Sequence, residues 1–579
     1  MKKYYLLIIL CGLVFSFSAK SQYSRYIIRL KDKNGSTFSI SNPSAYLSAK
    51  ALARRSRYKI AVDSTDLPVI KAYIDSIKAV PNVTVLNVSK WLNQVCIKTT
   101  DAANALAKIN TFSFVKSSSP VAVRLAQPLP VQTYKMDEFN QQPVPLRVSD
   151  VTGSFGFTGI QDVYNYGSNA GQIHIHEGEY LHNLGFHGEG MTIAMLDGGF
   201  FNYLNNPAFD SIRLQGQILG TWDYVANEQS VNEDNSHGAM CLSTIACNEP
   251  GKMVGTAPKA KFWLLRTEDV NSEYPVEEEN WVAAAEFADS VGVDMITSSL
   301  GYSDFDDHSF DHSYAQRDGK TSIISIGATM AVRKGILVTN SAGNSGGSTT
   351  DAKFVICPAD ADSVLTIGAT DVNRNIGYFS SWGPNGAGKL KPNVVSVGWN
   401  TVLANVNTGA PFTGSGTSFS NPNLCGLVAC LWQAFPEFTN MEIIAALQRS
   451  STKYTSPDYQ FGYGIPSMKT AYLDLQQQRI TKQNQQYQQL LGNAWIKAYP
   501  VPFRDNDNLT VLLKAPYTGH GNLSFIDMNG KTIETNTTEV QQGQIYTVSF
   551  KKVRFVSKGV YTIQYSDGKN KASVRVIKQ

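Results

Sequence analysis

The chain has 579 residues, 42% of them hydrophobic and 17% charged, with a formal net charge of +4 at pH 7. That length exceeds what a single hydrophobic core supports, so several domains are expected, and the composition excludes a disordered or fibrous protein. A net charge this small on a chain this long gives no reason to expect nucleic acid or an acidic partner.

Taken in chain order, the first segment is MKKYYLLIILCGLVFSFSAKSQ. Lys2 and Lys3, an apolar run and Ala19-Lys20-Ser21 make residues 1–21 a secretory signal peptide. Leu10 is too bulky for Cys11 to open a lipoprotein site. No later run reaches about 18 uninterrupted apolar residues, so the mature protein is expected to be soluble and secreted or held at the cell surface.

Residues 22–118 then read as a small α+β module. RYIIRL is a strand, Asn42-Pro43 opens a helix with a cap and a first-turn proline, and a second helix follows Asp66. Val83–Val88 and Asn93–Lys98 alternate as strands, Asp101 caps a helix, and Phe112–Lys116 closes the β-α-β-β-α-β order. From 119 to 152 the chain is rich in Pro, Gln and Ser, an extended linker.

Between 153 and 478, short apolar runs such as MTIAMLD, VDMITSSLG, GILVTNSAG and VLTIGAT alternate with helical patterns. This order predicts an α/β domain around a parallel sheet. A Gln-rich helical spacer covers 479–495. Residues 496–579 alternate as strands around Asn-Gly and Asp-Gly turns, an all-β domain. The six cysteines beyond the leader show no metal spacing and sit in apolar runs, so buried free thiols are expected.

Three segments of the α/β domain carry candidate chemistry. MTIAMLDGGF ends an apolar strand on Asp197, and carboxyl ends of parallel strands are where such folds place functional groups. SHGAMCLSTIA sets His237 at a helix entrance. GSGTSFSNP sets Ser418 between a glycine-rich loop and a buried helix, with Pro422 expected in or near the first turn. Singly, each has an ordinary structural explanation as a cap or turn residue.

In the order Asp197, His237, Ser418 they resemble the subtilisin-like serine proteases. The resemblance spans about 152–475 and implies a parallel-sheet subtilisin-like catalytic domain. It also implies roles: His237 as base for Ser418, Asp197 to orient the imidazole, and Asn344 of Ser341-Ala342-Gly343-Asn344-Ser345 as oxyanion donor. Ser299, Leu300 and Gly301 would form the edge that binds substrate backbone. The sequence departs from the family at Gly198 and Gly199, and at Phe419-Ser420-Asn421, without losing a catalytic group.

By the same resemblance the N-terminal module is a propeptide that inhibits its own enzyme; the C-terminal module separately resembles a type IX secretion sorting domain, with a β-module that binds carbohydrate or another surface as the competing reading. Protein or peptide substrates, the export machinery and a monomeric state are implied, with no nucleic acid. The chemistry requires no cofactor; structural calcium is common in the family, but no loop here names its ligands. His174, His176, His182 and His187 lack HExxH spacing. His308 and His312, among Asp304, Asp306, Asp307 and Asp311, read as a solvated acidic loop. The rival from another class is a catalytically silent surface or adhesion protein on the same fold, and ester hydrolysis is a second alternative.

Overall fold

The computed structural model describes residues 23–123 and 162–579; the signal peptide and most of the expected linker lie outside them. The chain divides into two compact units, the first running to Tyr472 and the second from Leu473.

The N-terminal module is a four-stranded antiparallel sheet, order β2-β3-β1-β4, from β1 (Tyr23–Leu30), β2 (Val83–Ser89), β3 (Gln94–Thr99) and β4 (Val115–Val123). Helices Ala49–Tyr58, Lys71–Lys78 and Ala102–Ile109 accompany it. Three expectations need correction. Asn42-Pro43 opens only a 3-10 turn, Pro43–Ala45, in which Asn42 makes no side-chain cap. The helix starts at Ala49, where Ser48 accepts the Ala51 N–H at 3.1 Å. The following helix starts at Lys71 rather than after Asp66, because Asp66 is spent on a buried ion pair with Arg55. The linker does not begin at 119 either: Ser117–Ser119 and Pro120 pair with β1, and the strand continues to Val123.

The α/β region is a seven-stranded sheet in the order β13-β12-β11-β10-β5-β9-β6. Its strands are β5 (Thr192–Asp197), β6 (Ile218–Asp223), β9 (Lys261–Arg266), β10 (Met295–Ser298), β11 (Leu337–Ser341), β12 (Leu365–Thr370) and β13 (Val394–Val397), and every pair is parallel. Two short antiparallel pairs, β7 (Asn248–Glu249) with β8 (Met253–Val254) and β14 (Thr401–Ala404) with β15 (Pro411–Gly414), flank it. β5, β10, β11 and β12 are buried along their whole lengths, as a parallel sheet covered on both faces requires. After β5 the chain runs out to β6, returns to β9, then crosses to β10. The strand order therefore reverses beside β5, and a crevice opens at the carboxyl ends there.

The propeptide-like module packs on helix Val276–Val291. Trp91, 5% exposed, lies in the same hydrophobic core as Trp281, Val282, Ala285 and Ile296. Asp289 of that helix receives Arg54 at 2.6 Å and Arg55 at 2.7 Å, and Arg55 also holds Asp66 at 2.8 Å, all buried. Glu286 accepts from Ser89 Oγ and from the Lys90 and Trp91 amides, and Glu279 from Gln94. Burial pushes the Glu286 carboxyl up to about 7 and the Glu279 carboxyl up to about 8.

The second unit carries two antiparallel sheets. One is β16 (Ile496–Tyr499), β17 (Thr510–Lys514) and β20 (Ile545–Ser549). The other has the order β19 (Thr532–Val540), β18 (Gly519–Ile526), β21 (Gly559–Ser566), β22 (Lys571–Lys578). Phe503, Val511, Leu513, Phe525, Ile563 and Val576 close a core of their own. Residues 479–491 of the expected spacer belong to a single helix, Met468–Leu491, that begins ten residues before the expected end of the α/β domain, and residues 492–495 lie outside it.

Candidate active site

Asp197 is the last residue of β5, and His237 the first of helix His237–Ala246. The imidazole Nδ1–H donates to Asp197 Oδ1 at 2.8 Å, with His237 fully buried and Asp197 2% exposed. The same carboxylate oxygen accepts the Gly198 amide at 2.8 Å, and Asn235 Oδ1 holds the His237 amide at 2.8 Å. Two glycines make this approach possible. A Cβ at Gly238 would lie 2.4 Å from the Gly199 carbonyl oxygen and 2.9 Å from Asp197 Cβ. Gly199, at φ +143°, leaves room for the Asn235 amide 2.5 Å from where a Cβ would stand. The Gly198-Gly199 departure thus has a steric reason at its second position.

Burial alone would lower the histidine pKa. The Asp197 carboxylate, by charge and hydrogen bond, reverses this and holds His237 well above the ordinary histidine value. Cys241, one helical turn on, has its Sγ 3.8 Å from His237 Nδ1. Burial raises the thiol's own pKa, so it is a neutral neighbour and the carboxylate is the effective partner.

Ser418 is the second residue of helix Thr417–Ala434, behind Gly416. Pro422 is not in the first turn as expected but inside the helix, four residues after Ser418. Lacking an N–H, it leaves the Ser418 carbonyl without its helical donor. Ser299 Oγ at 2.8 Å and Cys241 Sγ at 3.2 Å donate there instead. Cys241 therefore touches both the His237 ring and the Ser418 backbone, and the Phe419 ring centroid is 5.8 Å from that of His237. Ser418 Oγ lies 3.5 Å from the Ser299 carbonyl oxygen.

Asn344 follows β11. Its Oδ1 accepts from the Thr417 amide at 2.8 Å and the Thr417 hydroxyl at 2.9 Å, which fixes the amide with its NH2 turned away from Thr417. Asn421 ties the Ser299 segment to the same helix through Thr297 Oγ1 (3.0 Å), the Ser298 carbonyl (2.9 Å) and Ser299 Oγ (3.3 Å). Asp197 with His237, and Ser418 with Ser299 and Asn344, are thus gathered at the carboxyl end of the sheet. The sequence gives no role to Thr417, Cys241 or Asn421, the last marked there only as a departure from the family. Their spacing from Ser418 and His237 on the two helices is the signal that could have found them.

The histidines expected to be distractors have protein partners. His174 meets Asp162 at 2.9 Å, and His176 meets the Pro466 carbonyl and Ser396 Oγ. His182 meets Tyr166 and the Thr256 carbonyl, and His187 meets Glu189 and the His182 carbonyl. His308 pairs with Asp311, and His312 with Glu278. Among the described residues two groups could offer a metal three ligand atoms within 4.8 Å of one another: Asp197, His237 and Cys241, and Glu268, Glu273 and Glu277. In the first, the neutral thiol is a poor ligand. All six described cysteines are buried free thiols, as expected.

Residues 188–464 match the subtilase family, residues 25–138 the Bacteroidota peptidase S8 propeptide domain, and residues 497–579 a secretion-system C-terminal sorting domain. The serine protease AprX of Bacillus subtilis is 28% identical over 301 residues, covering 47% of this chain and 63% of its own. The chain thus spans a little under two thirds of that relative. Subtilisin BL of Lederbergia lenta is 25% identical over 297 residues, 50% of this chain and 93% of its own. Fervidolysin of Fervidobacterium pennivorans, described as a keratinolytic enzyme related to subtilisin, superposes with a TM-score of 0.53 at 16% identity, over 95% of this chain and 71% of that one. Residues 188–464, just under half of the chain, thus match the subtilase family, and the fold is that of a subtilisin-like enzyme. More particularly, that segment lies between a match to a peptidase S8 propeptide domain and a match to a secretion-system sorting domain, and the latter makes this a secreted or cell-surface protein.

Proposed function

We propose that the protein is a serine endopeptidase that cleaves peptide bonds through Asp197, His237 and Ser418. The observation that carries this reading is the buried 2.8 Å Asp197–His237 contact, joined through Cys241 to the helix start that bears Ser418. Ser418 Oγ attacks the substrate carbonyl while His237 Nε2 takes its proton, and Asp197 steadies the imidazolium so formed. The oxyanion is met by the Asn344 NH2 and by the Ser418 amide at the helix start, each such donor worth about 3 kcal/mol. His237 then protonates the leaving amine. Water, activated by the same imidazole, hydrolyses the acyl-Ser418 ester.

Extended substrate lies along Ser299, Leu300 and Gly301 as an added strand. The chemistry needs no metal, and the enzyme works as a monomer. Residues 23–123 act as an intramolecular inhibitor until the chain is cut beyond them, and the C-terminal domain engages the export machinery. A fluorophosphonate probe tests the reading: wild type is labelled, and Ser418→Ala is not. No labelling of either would make the protein a silent member of the fold, and activity on esters but not peptides would make it an esterase.

A further inference from the structure

We propose that Ile356 sets the specificity of cleavage by filling the pocket beside Ser418, so that a small side chain precedes the scissile bond. The proposal rests on the catalytic reading above and concerns which substrates that site admits.

Two backbone segments flank the reacting centre. One holds Ser299, whose Oγ meets the Ser418 carbonyl; the other holds Asn344, bound to Thr417. Following each segment away from Ser418 leads to a glycine, Gly301 on one side and Gly343 on the other. A Cβ at Gly301 would lie 2.4 Å from Ile356 Cδ1 and 2.5 Å from its Cγ1. A Cβ at Gly343 would lie 3.4 Å from the same two atoms, and 2.8 Å from Ser381 Oγ. One side chain therefore touches both walls of the gap between the segments.

Its backbone is pinned. Tyr302 and Cys357 exchange hydrogen bonds at 2.8 and 3.1 Å, and the Val355 amide meets the Trp382 carbonyl at 2.8 Å. Val355 and Cys357 are buried, while Ile356 between them is only half-buried, as a side chain on the floor of an open pocket would be. A β-branched side chain has little χ1 freedom with which to swing aside. The glycines' missing side chains make a slot, and Ile356 shortens it. The atoms nearest a Cβ at either glycine belong to Ile356, the Cys357 carbonyl and Ser381 Oγ, all uncharged, so the pocket suits a small apolar side chain such as Ala or Val and rejects Phe, Tyr and Leu. Differences of a methylene or two in such a pocket discriminate by roughly 10–200-fold.

The test uses the full-length chain after it has matured, with active sites counted by fluorophosphonate labelling. Peptide substrates differ only in the acyl residue, Ala, Val, Leu or Phe, and are compared for wild type, Ile356→Ala and Ile356→Gly. The expected result is a kcat/KM at least about tenfold higher for Ala than for Phe in wild type. The Phe-to-Ala ratio then rises at least about tenfold in Ile356→Gly, with Ile356→Ala between. Retained cleavage of the Ala substrate reports that a variant is folded; if the glycine variant is not secreted, the alanine variant carries the comparison. Ratios within twofold across labelled proteins, or a wild type that prefers Phe, overturn the pocket assignment and leave the catalytic reading standing. A wild type that neither labels nor cleaves brings down the catalytic reading, and the pocket with it.

Discussion

At the scale of single residues, His237 links geometry to a measurable pH. A general base must be unprotonated, and Asp197 holds this imidazole well above 6.5. Activity is therefore absent in acid and appears only as pH rises past that raised value. The acidic limb of the kcat/KM profile is expected above pH 6.5, and in Asp197→Asn to move down while activity falls on the order of 10⁴-fold. A wild-type limb at or below 6.5 would contradict this account. Asn344 allows a cleaner separation of roles, because its oxygen and nitrogen do different things. Asn344→Asp keeps the acceptor for Thr417 but removes the donor, so kcat should fall about 10²–10³-fold, the loss seen for such a donor in subtilisin. The melting temperature should stay near that of wild type. Asp197, His237, Ser418 and Asn344 could be picked out because each sits in a short local pattern. Cys241 and Thr417 carry no signal beyond their spacing from His237 and Ser418, and Ile356 carries none, since what they touch belongs to other elements and appears only on folding.

Elements teach a similar lesson about proline. Pro422 reads from sequence as a first-turn residue, yet helix Thr417–Ala434 absorbs it because Ser299 and Cys241 replace the missing donor at the Ser418 carbonyl. Asn42-Pro43 reads as a helix start, yet Ser48 provides the effective cap six residues later. Local rules propose helix boundaries, and tertiary partners decide among them. The parallel sheet itself, by contrast, followed from apolar runs alternating with helices, because a doubly covered sheet is built from continuous apolar stretches, whereas the order of its strands appears only in the fold. On helix Ala49–Tyr58, Arg55 serves two buried carboxylates at once. Arg55→Ala in an uncleaved Ser418→Ala background should cost about 3 kcal/mol of stability, since it removes the cation that bridges Asp66 and Asp289 and leaves them facing each other with Lys334 and Arg54 as partners. Lys71→Ala, which breaks only the exposed pair with Asp75, should stay within about 0.5 kcal/mol in the same denaturation experiment.

For the whole molecule, the net charge of +4 hides a segregation that bulk composition could not reveal. Residues 23–123 hold 15 Lys and Arg against 5 Asp and Glu, while residues 162–472 hold 16 against 32. The cationic module lies on a helix bearing Glu277, Glu278, Glu279, Glu286 and Asp289. Opposite fields of this kind favour rapid, correctly oriented docking. The contact also senses pH. Glu279 and Glu286 have raised pKa values in the packed state, so the protonated contact is fully favoured below their ordinary value of 4.5 and loses that advantage as pH rises through about 7 to 8. Amide-exchange protection of β3 in uncleaved Ser418→Ala should therefore decline from pH 5 to pH 8; protection that grew would show that these carboxyls are not masked by the propeptide. Deleting 496–579 should abolish export, as judged by protein retained in the cells, and undiminished export would reject the sorting role.

Trp91 has one more consequence. Cutting the chain past Val123 severs a covalent tether but leaves the indole in its socket beside Trp281 and both arginines on Asp289. Scission and departure are thus separate events with separate clocks. Under the proposed inhibitory role the second runs only when that contact gives way, so a nicked particle stays dormant until the indole and both arginines let go.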